Sequence, residues 1–267
     1  MTLRSSPDGR PVPVDPRITL VETFKGGTGK TTSALWLARA FANLGQPTLL
    51  VGLSPQNDVV PIDAAVIAGL REALQAGTVP RASSVADRLW HLPAGLADLG
   101  SDDLGVVEAI RACARQVGAT QVVVDGINLL QPVAFHVLRQ SNLLVIPTSP
   151  FPAVLAAALR TLRLVATLPV ESRPWAKILL TLVPPPSART ATVKELMELL
   201  RDAYPGFVFA QEIRRTARFD AVPLDPNHQL RRGRPTGPNL SADYHAAARE
   251  ALAILGGEVP DLEEASR

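Results

Sequence analysis

The stretch Phe24-Lys25-Gly26-Gly27-Thr28-Gly29-Lys30-Thr31-Thr32 constrains this chain more than any other. An apolar run at residues 18–21 precedes it and reads as a buried strand. Residues 33–44 follow it, with Ala34, Leu37, Ala38, Phe41 and Leu44 on one helical face. Strand, glycine loop and helix form the setting that a phosphate-binding loop needs. Gly26, Gly27 and Gly29 lack side chains, so their backbone N–H groups are able to curl around an anion. The helix behind them presents its N-terminus, worth roughly half a positive charge, to the same anion. Lys30 is placed to reach the β- and γ-phosphates of a nucleotide, and the Thr31 hydroxyl to ligate Mg²⁺, a cation that takes oxygen ligands.

The general pattern G-x-x-x-x-G-K-[ST] is met only in part, because Phe24 stands where its first glycine belongs. Lys-Gly-Gly-Thr-Gly-Lys-Thr instead resembles the deviant Walker A motif, K-G-G-x-G-K-[ST], of the ParA/MinD family of ATPases. Lysine otherwise occurs only at Lys177 and Lys194, so two lysines inside this loop are not compositional drift. The resemblance is to ParA-like partition ATPases without an N-terminal helix-turn-helix domain. It implies that Lys25, Gly26, Gly27, Thr28, Gly29, Lys30, Thr31 and Thr32 bind ATP or ADP with Mg²⁺. It also makes Lys25 a signature lysine that crosses a dimer interface to the partner's nucleotide.

Helical and strand patterns alternate over residues 17–255. This reads as one α/β domain, doubly wound, with a mostly parallel sheet and helices on both faces. Residues 1–16 read as a flexible proline-rich arm and residues 256–267 as a polar acidic tail. Further strands are expected at residues 48–51, 88–93, 121–125, 143–146, 178–183 and 207–209. Helices are expected at residues 62–75, 104–117, 132–140, 152–167, 242–255, and from a Ser187 cap to residue 203. The helix at 152–167 is apolar nearly all round, so it is expected in the core or in an interface.

Residues 121–125 form a β-branched run that delivers Asp125 to the C-terminal edge of the sheet, where open α/β folds bind ligands. By the resemblance this is the Walker B-like strand, and Asp125 holds a Mg²⁺-bound water. Catalytic roles then fall to Lys25, Lys30 and Asp125, and metal binding to Thr31 and Asp125. The family continues D-x-P, whereas here Gly126-Ile127-Asn128 follows. A second departure lies in the switch I segment, D-x-D-P-Q in the family. Pro55 and Gln56 match it, but Gly52 and Ser54 replace both aspartates. The second of those aspartates positions or activates the attacking water, so hydrolysis is expected to be very slow or absent, with Gln56 and Asp58 as substitute groups.

The 267 residues are 46% hydrophobic and 19% charged, enough for a sizeable core. The net charge of +2 does not by itself argue for nucleic acid. The lone Cys113 excludes an internal disulfide and is expected to be a small buried residue. No segment resembles a signal peptide, and the apolar stretch 151–170 is broken by Arg160 and Arg163. A reducing cytoplasm is the expected compartment. His91, His136, His228 and His245 are scattered without metal-ligand spacing, and Trp36, Trp90 and Trp175 are singletons expected in the core. A near-match to the serine-hydrolase elbow G-x-S-x-G at residues 52–56 fails at Gln56.

Two arginine clusters, Arg214, Arg215 and Arg218, then Arg231, Arg232 and Arg234, stand late in the chain. ParA-like ATPases bind DNA without sequence preference through basic residues in this part of the fold, and phosphate contacts supply such binding. A solvated arginine face is the alternative, and the segment 213–221 resembles one that lies beside the nucleotide base, which leaves Arg214 and Arg215 open to nucleotide or dimer. The resemblance implies a homodimer formed on ATP binding, non-specific DNA, a nucleoid-associated location, and a ParB-like or cargo-adaptor partner in plasmid or chromosome partition. A MinD-like membrane-positioned ATPase is disfavoured by the acidic, proline-containing tail. A non-hydrolysing scaffold or regulator in DNA transfer is favoured by Gly52 and Ser54. A metabolic synthetase on the same fold needs an acid/base or thiol constellation that the sequence does not supply.

Overall fold

The computed structural model describes residues 15–53, 69–93, 105–127, 129–215 and 238–256. The arm up to residue 14, the tail from 257, Ser54 to Asp58, residues 62–68 of the expected second helix, Asn128, Arg218, Arg231, Arg232, Arg234 and His228 lie outside the described residues.

Apolar, β-branched segments become strands buried on both faces: β1 (Arg17–Val21), β2 (Thr48–Gly52), β5 (Gln121–Asp125) and β6 (Leu143–Thr148). With β3 (Ser83–Ala86), β4 (Leu89–Pro93) and β7 (Trp175–Leu180) they form one sheet, ordered β3-β4-β2-β5-β1-β6-β7. Every neighbouring pair is parallel except β3 with β4. From β1 the chain passes to β2 on one side and later to β6 on the other, which makes the C-terminal end of β1 the switch point where such sheets bind ligands.

Helices cover both faces, as expected. On one face α1 (Lys30–Asn43) and α7 (Pro238–Leu255) share a cluster of Leu37, Phe41, Tyr244, Ala247 and Ala251 with strand residues Val21, Leu50 and Val123. The other face holds α3 (Val106–Val117), α4 (Pro132–Gln140), α5 (Pro152–Ala166) and α6 (Ala191–Ala203), with Ile110, Val137, Leu162 and Met197 against Leu20, Val122 and Leu144. The short α2 (Gly69–Ala76) packs on α3. Cys113 is buried in this second cluster.

Some expectations are corrected. The α5 helix buries only Leu155, Ala158, Thr161, Leu162 and Val165; its outer face is Ala153, Ala156, Arg160 and Arg163, small or charged groups that water tolerates. Thr190, not Ser187, caps α6 by accepting from the Val193 N–H at 3.3 Å, because Pro186–Ala188 forms a separate 3₁₀ turn. The expected strand 178–183 begins earlier, at Trp175, and ends at Leu180. Pro147 does not end β6. Alternate residues of a parallel strand bond to opposite neighbours, and Pro147 faces the β1 side, where pairing has already stopped at Val145.

Candidate functional site

The loop after β1 takes the shape its glycines permit. Gly27 and Gly29 adopt φ of 72° and 87°, a region where a side chain strains the backbone. Gly29 is the N-cap of α1 in the left-handed conformation; no side chain caps that helix, and its first turn holds no acid. Its first N–H groups therefore remain for an anion. Lys25, Gly26 and Gly27 are exposed, while Thr28 is buried and its carbonyl accepts from the Thr181 hydroxyl at 2.9 Å, tying the loop to the end of β7. The Phe24 N–H donates to the Thr161 hydroxyl of α5 at 3.3 Å. The loop is thus held at both ends and open at its centre.

Asp125 ends β5 in register with Val21 of β1 and with Gly52 of β2. Its carboxylate is buried and accepts a hydrogen bond from the Thr31 hydroxyl at 2.8 Å. The structure therefore brings together Lys30, Thr31 and Asp125 beneath the loop. Gly52, where the resemblance places an aspartate, stands directly beside Asp125 and adds no oxygen.

A residue that sequence reasoning missed is Glu22, immediately after β1. It is fully buried, its Oε1 lies 3.1 Å from the Lys30 ammonium, and the same oxygen accepts from the Thr23 N–H at 2.6 Å. Lys30 also donates to the Thr23 carbonyl at 3.4 Å. Burial pushes the Glu22 carboxyl up to about 7, outweighing the opposing pull of Lys30, and Asp125 adds to the rise. Among the described residues Oε2 has no hydrogen-bond partner; it points at Gly126, where a Cβ would collide with it. The signal in the sequence was slight: one acid directly behind an apolar run, and a glycine after Asp125.

The donor set fits a nucleotide polyphosphate with Mg²⁺. Main-chain N–H groups, an uncapped helix start and Lys30 suit phosphates, and a hydroxyl beside a carboxylate suits a hard cation that keeps several waters. Among the described residues no group of three or more His, Cys, Asp or Glu gathers into a metal site of another kind.

The late arginines divide. Arg214 is committed to the buried Asp243 of α7: its Nε and Nη2 reach that carboxylate at 3.0 and 2.6 Å, and its main-chain N–H donates to it at 3.1 Å. Arg215 is exposed, and its N–H donates to the Val183 carbonyl at 2.8 Å. His91 is buried in β4 with neither ring nitrogen hydrogen-bonded among the described residues, and burial lowers its pKa to about 4. Trp36 is buried and stacks on Tyr244 of α7 at 6.2 Å between ring centroids. Trp90 and Trp175 are half-buried and pack against the two clusters, so of the three tryptophans Trp36 alone is a buried core residue.

The profile of the CobQ/CobB/MinD/ParA nucleotide binding domain matches residues 19–226. The chain is 27% identical over 232 residues to the chromosome-partitioning ATPase Soj of Thermus thermophilus, covering 86% of this chain and 92% of that one. Among solved structures it is similar to apo McdA of Cyanothece, with a TM-score of 0.69 and 15% identity over 88% of this chain and 99% of that one. It is also similar to a cobyrinic acid a,c-diamide synthase of Mycobacterium smegmatis bound to an ATP analogue and magnesium, with a TM-score of 0.66 and 22% identity over 92% of this chain and 98% of that one. No helix among the described residues is long and apolar enough to cross a membrane.

Proposed function

Since the chain belongs to the CobQ/CobB/MinD/ParA family of nucleotide-binding domains, we propose that it is an ATP-dependent dimerisation switch that binds DNA without sequence preference and acts in partition or cargo positioning. The observation that carries this reading is the juxtaposition of Lys30, Thr31 and Asp125 beneath an exposed Lys25-Gly26-Gly27 crest.

The geometry supports a division of roles. The N–H groups of residues 26–32 would cradle the phosphates, and Lys30 would reach the β- and γ-phosphates in exchange for its contact with Glu22. Thr31 and Asp125 would hold Mg²⁺ and its waters, and the cation would supply neutralising charge for the phosphates. Lys25, exposed on the crest, is available to a second copy's nucleotide. Gly52 and Ser54 replace both switch I aspartates, the second of which positions the attacking water, and this supports slow turnover, long-lived ATP dimers and a switch that resets weakly. A scaffold that never hydrolyses is the second reading, favoured by that same glycine. A ParB-like or adaptor partner would then read the ATP dimer.

Light scattering tests the switch. With a non-hydrolysable ATP analogue and Mg²⁺ the wild-type chain is expected to double in mass and Lys25→Ala to remain monomeric. A wild type that is monomeric in every nucleotide state contradicts the proposal.

A further inference from the structure

Resting on the nucleotide-site reading, we infer that Glu22 is a positioning residue that competes with the nucleotide's phosphates for Lys30 and so sets how tightly the loop binds them. Three independent observations converge on it. The carboxylate is fully buried under the loop, and among the described residues its one ion-pair partner is Lys30. It grips the Lys30 ammonium at 3.1 Å and is itself fixed by the Thr23 N–H, so the lysine is held at the base of the loop rather than over its crest. Gly126 is vacated to make room for it, since any Cβ there would overlap Oε2.

The consequence is a competition. Lys30 has one ammonium group, and a phosphate that draws it upward removes the cation that pairs with Glu22. The carboxylate is then left buried beside Asp125, which already opposes its charge, and near the incoming phosphates. A buried carboxylate parted from Lys30 must either keep its charge beside Asp125 or take up a proton, and either one raises the free energy of the bound state. Removing the charge at Glu22 therefore favours the bound state, whereas a residue that merely supports the loop would weaken binding when altered.

The test is calorimetric titration of ADP and of a non-hydrolysable ATP analogue, each with Mg²⁺, into the wild type and into Glu22→Gln, Glu22→Ala and Glu22→Asp. Glu22→Gln and Glu22→Ala are expected to bind about tenfold tighter or more, the removal of one close charge being of that order. Glu22→Asp keeps the charge and is expected to stay within about threefold of the wild type. Unchanged or weaker binding in Glu22→Gln and Glu22→Ala, with a wild type that binds, overturns the inference and leaves the nucleotide reading intact. Absence of binding in the wild type and all variants overturns the nucleotide reading, and the inference falls with it. Loss of a cooperative thermal transition in both Glu22→Gln and Glu22→Ala also overturns the inference, because it assigns Glu22 to folding instead.

Discussion

Glu22 and Gly126 share one volume: a Cβ at position 126 would overlap the Glu22 carboxylate. The residue that follows Asp125 is thus dictated from a neighbouring strand, and the acid behind the phosphate loop exists only because position 126 is empty. A buried carboxylate and an emptied position beside it are a costly arrangement for a core to keep. Both sit within the site that holds Lys30, Thr31 and Asp125.

Glu22 and His91 predict opposite pH dependences of stability. Glu22 titrates at about 7 in the folded chain against an ordinary 4.5, so the folded state holds its proton more tightly. Stability attributable to Glu22 therefore falls as pH rises through that window, by roughly 3 kcal/mol. His91 titrates at about 4 against an ordinary 6.5, so the unfolded state takes the proton first. Stability attributable to His91 is full above about 6.5 and is lost as pH falls toward 4, again by roughly 3 kcal/mol. Urea unfolding across pH is expected to show Glu22→Gln gaining on the wild type as pH rises, and His91→Leu gaining as pH falls. Parallel curves for wild type and variants would refute the assignment.

The arginine clusters are expected to separate in function. Arg214→Ala strips the buried Asp243 of its guanidinium, so it is expected to destabilise the fold by roughly 1–3 kcal/mol. Arg231→Ala and Arg232→Ala are expected to leave the melting temperature unchanged and to weaken binding of the ATP form to all duplex DNA sequences equally. Each lost phosphate contact should also reduce the slope of log affinity against log salt by roughly 0.9. Filter binding at several salt concentrations measures this, and no DNA binding at low salt would reject the proposal.

Turnover is expected to be very slow. Ser54 stands where the resemblance places the water-positioning aspartate, and a positioned base contributes roughly 10²–10⁴-fold to such reactions. Ser54→Asp, which restores one switch I aspartate, is expected to raise phosphate release by about tenfold or more. Brisk wild-type turnover that disappears in Asp58→Ala would overturn this and identify the substitute group.

The sequence made the phosphate loop legible because its chemistry is local: glycine φ, a helix start and two lysines lie within nine consecutive residues. The strand ending in Asp125 was equally plain, since residues 121–125 are β-branched and end in a carboxylate. Glu22 was not legible, because an acid after an apolar run looks like a strand reaching water. Only the flanking β5 and β6, with α5 above the loop, decide that it is buried. The edge strand β3, Ser-Ser-Val-Ala, has no alternation to announce it and owes its form to pairing with β4. The Arg214–Asp243 pair spans 29 positions in sequence and exists only once α7 packs back against residues 213–215. Long-range packing of this kind leaves no local pattern.

The most direct test of the account is calorimetric titration of a non-hydrolysable ATP analogue with Mg²⁺ into the wild-type chain and into Lys30→Ala. The account predicts saturable binding of one nucleotide per wild-type chain, weakened about 10–100-fold or more in Lys30→Ala, a charged hydrogen bond being worth roughly 1.5–3 kcal/mol. Equal affinity in the two proteins, or no binding by the wild type, would contradict it.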